Sequence, residues 1–515
     1  MVLEMHYQRI IVFIAIVGSV PFVAGCNKKP LLVRRAVIPT ATPSSSFPTP
    51  PPPSYPWDSH SPPPSASPSP YPTVLPSPTP SEVPSPSPTE LPSPSPSVFP
   101  TPFPTPLPSP FSGTLDPTFG DNGVTFAFGP SRARANALAM QFDGKIIAAG
   151  YSLGTTYYSF AVARFNENGS LDSTFGTGGM VKTSITAYNA LASAVAIQSD
   201  GKIVVAGSSS NGTYNTFGIA RYNPNGTLDT TFNTDGKRES VFGDLGSVAS
   251  ALAVQSDGRI LAVGETSSSA SATGSDFAMA RYNLDGSNDT SFGVGGKVTT
   301  DLGTIDDRAY DVVVQADGKI LLAGQRGAGA FALVRYNPNG SLDNSFGASG
   351  IVTTTIKENN YAYAVALQAD SKIVLAGWVG DLTNTVRSSA LARYHTDGIL
   401  DDSFGFGGTT TTTNAIGADP VRSVRAMKLQ NDGKIIVAGS LFTAAGDFYI
   451  ALARYLPNGA IDTGFGVGGL STTVIGKTSV ATCLAIQEDG KIIVGGIGIR
   501  AGSPETAFTL VRYLP

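Results

Sequence analysis

Ala194-Val195-Ala196-Ile197-Gln198-Ser199-Asp200-Gly201-Lys202-Ile203-Val204-Val205-Ala206-Gly207 is a pair of apolar, β-branched runs joined by a polar Asp-Gly turn. Short runs of this kind, bounded by turn residues and Gly, read as strands rather than helices. Asp-Gly suits a tight hairpin, because both central positions tolerate a positive φ. Working outward, Phe217-Gly218-Ile219-Ala220-Arg221-Tyr222 reads as a further strand, closed by Asn223-Pro224-Asn225-Gly226. Upstream, Met180-Val181-Lys182-Thr183 follows a Gly pair and reads as a Thr-rich strand. The local pattern is four strands.

That pattern recurs. Leu-Asp-x-(Ser/Thr)-Phe-Gly opens at Leu115-Asp116 and Leu171-Asp172, and returns around Asp229, Asp289, Asp343, Asp401 and Asp462. Gln-x-Asp-Gly-Lys-Ile begins at Gln141 and ends its series at Gln487. Ala-x-(Ala/Val)-Arg-(Tyr/Phe) carries Arg164, Arg221, Arg281, Arg335, Arg393, Arg454 and Arg512. Seven copies of each landmark give a repeat of about 57 residues. Seven repeats of four antiparallel strands predict a seven-bladed β-propeller, an all-β fold, over 113–515. A closed ring needs no polar capping repeat, and none is present at either end.

These units resemble the delta-60 repeat family of bacterial β-propellers over nearly everything after residue 114. The resemblance implies the propeller fold and assigns no activity. One unit departs from the pattern, with Asn288 in place of Leu. The Thr-rich strands suit an outer blade edge, so Val124–Phe128 is expected to complete the last blade and tie the ends together. The alternative is that each blade is one contiguous unit.

Composition sets the rest. Of 39 prolines, 29 lie between Pro39 and Pro110, in Ser-Pro and Thr-Pro pairs with few apolar groups. Such a segment cannot offset its chain entropy, so 26–112 is expected to be a disordered stalk. In polyproline II geometry it would reach on the order of 200 Å. Ahead of it, Arg9 precedes an apolar run from Ile10 to Val23 that is short for a membrane span and fits a signal-peptide core over 1–25. The run ends in Val23-Ala24-Gly25-Cys26, which resembles the bacterial lipobox, with Glu4 as a small departure. The resemblance implies cleavage before Cys26, lipid on its thiol and amino group, and stable membrane attachment in a bacterial cell envelope. Asn27 stands where Asp would imply inner-membrane retention, so the outer membrane or cell surface is favoured.

Net charge is −4 and charged residues make up 14%, with no basic stripe, so nucleic acid is not expected as a partner. The two cysteines are Cys26 and Cys483. Cys483 sits where other repeats carry Ala and reads as a small buried residue, so neither a disulfide nor a zinc site is expected. The repeated Phe residues are expected to fill gaps between blades. The repeated Asp residues either accept turn N–H groups or pair with the repeated Arg, with a calcium site as the functional alternative.

In an up-and-down meander, turns two-to-three and four-to-one share one face, and here they are the repeated motifs. Loops one-to-two and three-to-four share the other face, and they vary: Tyr151–Tyr158 differs sharply from Gln325–Gly329 and from Trp378–Asn384. Varied loops on a rigid scaffold are where binding residues concentrate. Tyr157, Tyr158, Tyr214, Arg326, Trp378 and Phe442 are the exposed candidates for ligand contact. No catalytic residue is assigned. His6 and His60 lie in the signal and stalk, and His395 occupies a turn position; no nucleophile elbow, metal cluster or phosphate loop is visible, so no cofactor is expected. The reading is a monomeric, membrane-anchored, non-enzymatic binding scaffold for a protein, glycan or cell-wall ligand. The alternative is a propeller hydrolase or lyase acting on a cell-surface or extracellular polysaccharide, whose carboxylates need no local motif.

Overall fold

The computed structural model describes residues 112–515 except 130, 268–273, 328, 384–386, 413–422, 444–445, 477 and 501. The expected signal peptide, Cys26 and all but the last residue of the stalk lie outside the described residues. Among the described residues there are 28 strands and no helix. They form seven four-stranded antiparallel sheets. The innermost strands are Arg134–Met140, Ala190–Ile197, Gly246–Val254, Arg308–Val314, Asn359–Leu367, Ala426–Leu429 and Ser479–Ile486, which number blades 1 to 7. Each touches its neighbour on both sides, so the seven close into a ring.

A blade is offset from the sequence unit. Blade 1 runs Arg134–Met140, Ile146–Leu153, Tyr158–Phe165, Met180–Thr183, so its outer edge is the Thr-rich strand of the next unit. The same offset closes the ring. Val124–Ala127 pairs with Thr506–Tyr513, with Val124 opposite Val511 and Ala127 opposite Phe508. The expected tie between the chain's first and last strands is therefore present.

The second strands explain their own composition. Packed between two neighbouring blades, they are buried on both faces and read as continuous apolar runs. Alternate residues go to different cores: Ile146 and Ala148 pack with Ile493 and Phe508 of blade 7, whereas Ile147 and Ala149 pack with Ile203 and Val205 of blade 2. There is thus no single central core but one apolar cluster per blade junction.

The hairpin between innermost and second strands differs from expectation. It is not a two-residue turn with two positive φ values. In blade 1 the Gln141 N–H donates to Lys145 O at 2.8 Å and Gly144 N–H to Gln141 O at 3.0 Å. Only Gly144 is left-handed, at φ 78°. The Asp143 carboxylate accepts the Lys145 N–H at 3.2 Å, a side-chain-capped turn. In blade 5 Ser371 holds the glycine position at φ 66°.

At the repeated-turn end, each blade carries one Arg–Asp–Phe clasp on its successor. Arg221 Nε meets Asp229 Oδ2 at 2.7 Å, and the seven such pairs span 2.7–2.9 Å. The other oxygen of Asp229 accepts the Thr231 N–H and hydroxyl at 3.1 and 2.7 Å. The Arg guanidinium lies over the repeated Phe ring, 4.2–4.8 Å from its centroid in all seven blades. Arg164 also donates to Pro224 O in the Asn-Pro-Asn-Gly turn of the next blade, whose Gly226 sits on the Phe175 ring at φ 89°. A side chain there would collide with Phe175 and the Gly176 N–H. Burial alone would raise the Asp229 carboxyl; the Thr231 hydrogen bonds and the charges of Arg221 and Lys202 outweigh it and hold the carboxyl at about 2. Both readings of the repeated Asp are therefore correct. Its oxygens are engaged within its own blade, one by the arginine and the other by the turn. Between blades 6 and 7, Ser112 O and Gly113 take the place of the missing turn, accepting the Gly466 N–H at 2.8 Å and packing on Phe465.

Candidate functional site

The opposite end of the disc is built on a feature that six of the seven blades share. In six blades the innermost strand carries a β-bulge against the second strand, at Asn136, Ser193, Ser250, Tyr310, Tyr363 and Thr482. Arg425 holds the same place in blade 6, five residues before the repeated Gln, as the others do. The bulge leaves one residue unpaired near the axis and re-aims its side chain. Small polar groups satisfy the position: Asn136 Nδ2 donates to Ala192 O of the neighbouring blade at 2.7 Å, and Thr482 Oγ1 to Gly495 O at 3.1 Å.

Three consecutive blades break this rule. The Tyr310 and Tyr363 rings lie 4.5 Å apart, and the Arg425 guanidinium sits 4.3 Å over Tyr363. Tyr361, two residues earlier, is nearly parallel to Tyr363 at 6.3 Å and stacks on Trp378 at 4.3 Å. Arg387 also lies over Trp378, at 4.4 Å. The result is a half-buried arc of rings on blades 4 to 6, with a guanidinium at each end. A third cation, Arg308, pairs with Glu265 of blade 3 at 2.9 Å and with Asp306 at 3.2 Å. The Tyr310 hydroxyl donates to Gln325 Oε1 at 2.6 Å. Burial lifts the Tyr361 hydroxyl above its ordinary value, and Tyr363 adds to this; Arg387 and Arg308 oppose it without cancelling it. Lower in the same arc, Asp311 replaces the Ala or Cys of the other innermost strands. Burial raises its carboxyl, while it accepts the Val365 N–H at 2.9 Å.

All six sequence candidates lie on this variable-loop end, but they do not gather in one place. Tyr157 is 41% exposed and packs edge-on against Tyr188 at 5.5 Å. Tyr158 is half-buried beside Tyr151 at 5.2 Å. Tyr214 is half-buried in the blade 2 loop, its N–H bound to Asn211. Arg326 is half-buried and held by Leu302 O at 2.7 Å. Phe442 is 38% exposed against Phe448. Trp378 needs a correction: it is 5% exposed, because Tyr361 and Arg387 both pack on its ring. Tyr310, Tyr361, Tyr363, Arg308, Arg387 and Arg425 were not among the candidates. The signal was present: aligning the residue five places before each repeated Gln isolates Tyr310, Tyr363 and Arg425 from Asn, Ser, Ser and Thr.

Asp276, Asp301 and Asp307, also at this end, bring carboxylate oxygens within 4.8 Å of one another. The buried member, Asp307, accepts the N–H groups of Leu302, Thr304 and Gly327 at 3.0, 3.3 and 2.9 Å, which accounts for its burial without an ion.

Seven segments, 141–175, 198–232, 255–292, 315–346, 368–404, 430–465 and 487–515, match the family described as a domain of unknown function (DUF5122) β-propeller. No curated protein matches the chain. Among solved structures it is similar to Sqt1 from Chaetomium thermophilum, at 13% identity over 78% of this chain and 98% of that one, TM-score 0.43. It is similar to virginiamycin B lyase from Staphylococcus aureus, at 11% identity over 75% and 98%, TM-score 0.42. It is also similar to a protein of unknown function from Bacteroides caccae, at 10% identity over 64% and 98%, TM-score 0.36. Likenesses of this order do not extend to what those proteins bind or cleave.

Proposed function

We propose, for a chain that belongs to the delta-60 repeat β-propellers, that the variable-loop end is a recognition face and the whole protein a lipid-anchored binding scaffold of a bacterial cell envelope. One observation carries the reading: the ring-and-guanidinium arc on blades 4 to 6. The same backbone position is satisfied elsewhere by Asn, Ser or Thr. The fold therefore does not demand rings there, and their clustering on adjacent blades calls for another reason. The uniform opposite end supplies rigidity, so the scaffold presents the arc without reorganising. Attachment rests on the lipobox-like Val23-Ala24-Gly25-Cys26.

A glycan array and a pull-down with the intact chain test the reading. Saturable binding that disappears when the blade 4 to 6 residues are replaced supports it; binding indifferent to them sinks it. Radiolabelled palmitate should enter the wild type and not Cys26→Ser. The second reading is a polysaccharide hydrolase or lyase, favoured by Glu265 and Asp306 beside Arg308 and near Tyr361. Turnover of a polysaccharide by the intact chain would replace the first reading with the second.

A further inference from the structure

We propose that the arc takes a linear polyanionic saccharide, with acid groups bound by Arg425 and Arg387 and sugar hydroxyls bound by the tyrosines. This rests on the variable-loop end being a recognition face. The argument starts from the guanidinium. Stacked flat on a ring, it keeps its N–H donors in the plane, directed past the ring edge. That fork matches a carboxylate or sulfate bidentately, which an ammonium could not do. The Arg425 guanidinium lies 4.3 Å over the Tyr363 ring, and among the described residues no carboxylate is paired with it. The Arg387 guanidinium lies 4.4 Å over the Trp378 ring.

The spacing of the charges carries the next step. Arg387, Trp378, Tyr361, Tyr363 and Arg425 succeed one another at 4.4, 4.3, 6.3 and 4.3 Å, so the two stacked cations stand at opposite ends of a row of rings. A small anion would use one end. A chain with an acid group on successive units would use both, and each added contact makes the next one intramolecular. Between the ends lie the half-buried Tyr361 and Tyr363. Each offers an apolar body and a hydroxyl, the combination that suits a sugar's C–H face and its hydroxyls. Arg308, beside the row, is already neutralised by Glu265 and Asp306 and is not counted among the ligand's partners.

The protein carries its own reporter. Trp57 and Trp378 are its two tryptophans, and Trp378 is inside the arc. The intact chain carrying Trp57→Phe, in detergent, is titrated with a galacturonate hexamer, a glucose hexamer and polyglutamate. The proposal expects a saturable change in Trp378 fluorescence with galacturonate alone, weakening as salt rises. Arg425→Gln should weaken it by at least about tenfold. Arg134→Gln, an arginine of the innermost strand of blade 1 far from the arc, should leave it unchanged. If Arg425→Gln lowers the melting temperature, Arg425→Lys takes its place; charge is then kept, the fork is lost, and affinity should still fall. No response to galacturonate, or a response equal in Arg425→Gln, overturns the proposal. Equal binding of polyglutamate makes the ligand an acidic peptide and also overturns it. Binding of glucose hexamer, lost in Tyr363→Ala, overturns the acidic part while leaving the recognition face standing.

Discussion

The two ends of the disc are made of the same strands and have opposite statistics. At the repeated-turn end, all seven blades place Arg, Asp and Phe in one geometry, with ion pairs of 2.7–2.9 Å. At the variable-loop end the same backbone position carries Asn, Ser, Ser, Tyr, Tyr, Arg and Thr. Where a junction must recur seven times, chemistry converges on one solution. Where only the bulge recurs, the side chain is free for other uses. Uniformity here marks structure, and departure from it marks a candidate for function.

Acid should break the uniform end most severely. All seven clasp carboxylates are held below their ordinary value. A depressed folded value means stabilisation that is complete above the unfolded value and lost as pH falls through the folded one. Stability should therefore hold down to about 3.8 and drop steeply towards about 2, read by circular dichroism at fixed denaturant. A flat profile over that range would show that the clasps contribute little. Next in size is Arg221→Ala, which strands a buried Asp229 and should cost about 3–5 kcal/mol in chemical denaturation. Gly226→Ala, forcing a Cβ at φ 89° against Phe175, should cost about 2–3 kcal/mol. Tyr336→Phe removes a 2.8 Å bond from its hydroxyl to Thr300 of the preceding blade and should cost about 1 kcal/mol. Smallest are Tyr157→Ser and Arg425→Gln at the variable end, both within about 0.5 kcal/mol of wild type. A large loss from Arg425→Gln would mean that the arc is itself a structural junction, and the contrast between the ends would weaken.

Most of the ring was legible from residues alone, because its period is written three times in each unit. The shared last blade was legible too, since Thr-rich strands mark an edge and the described chain begins with one and ends on a fourth-type strand. The hairpin was misjudged because Asp-Gly inside Gln-x-Asp-Gly-Lys does not act alone: Asp143 binds the Lys145 N–H and lengthens the turn. The arc escaped for a different reason. Searching variable loops favours residues outside strands, whereas Tyr310, Tyr361 and Tyr363 sit within innermost strands, Tyr310 and Tyr363 at the bulges with their rings 4.5 Å apart. Trp378 was found by residue type and misplaced by exposure, since its cover comes from Tyr361 across the sheet and Arg387 on the next strand.

Ser112 docks on Gly466, and Pro515 lies against Gly490, so the described chain both enters and leaves by the repeated-turn end. The arc lies at the other end of the disc. A dye, bead or tether coupled at Pro515 should leave access to blades 4 to 6 unobstructed, which makes that residue a suitable handle for surface-based binding measurements.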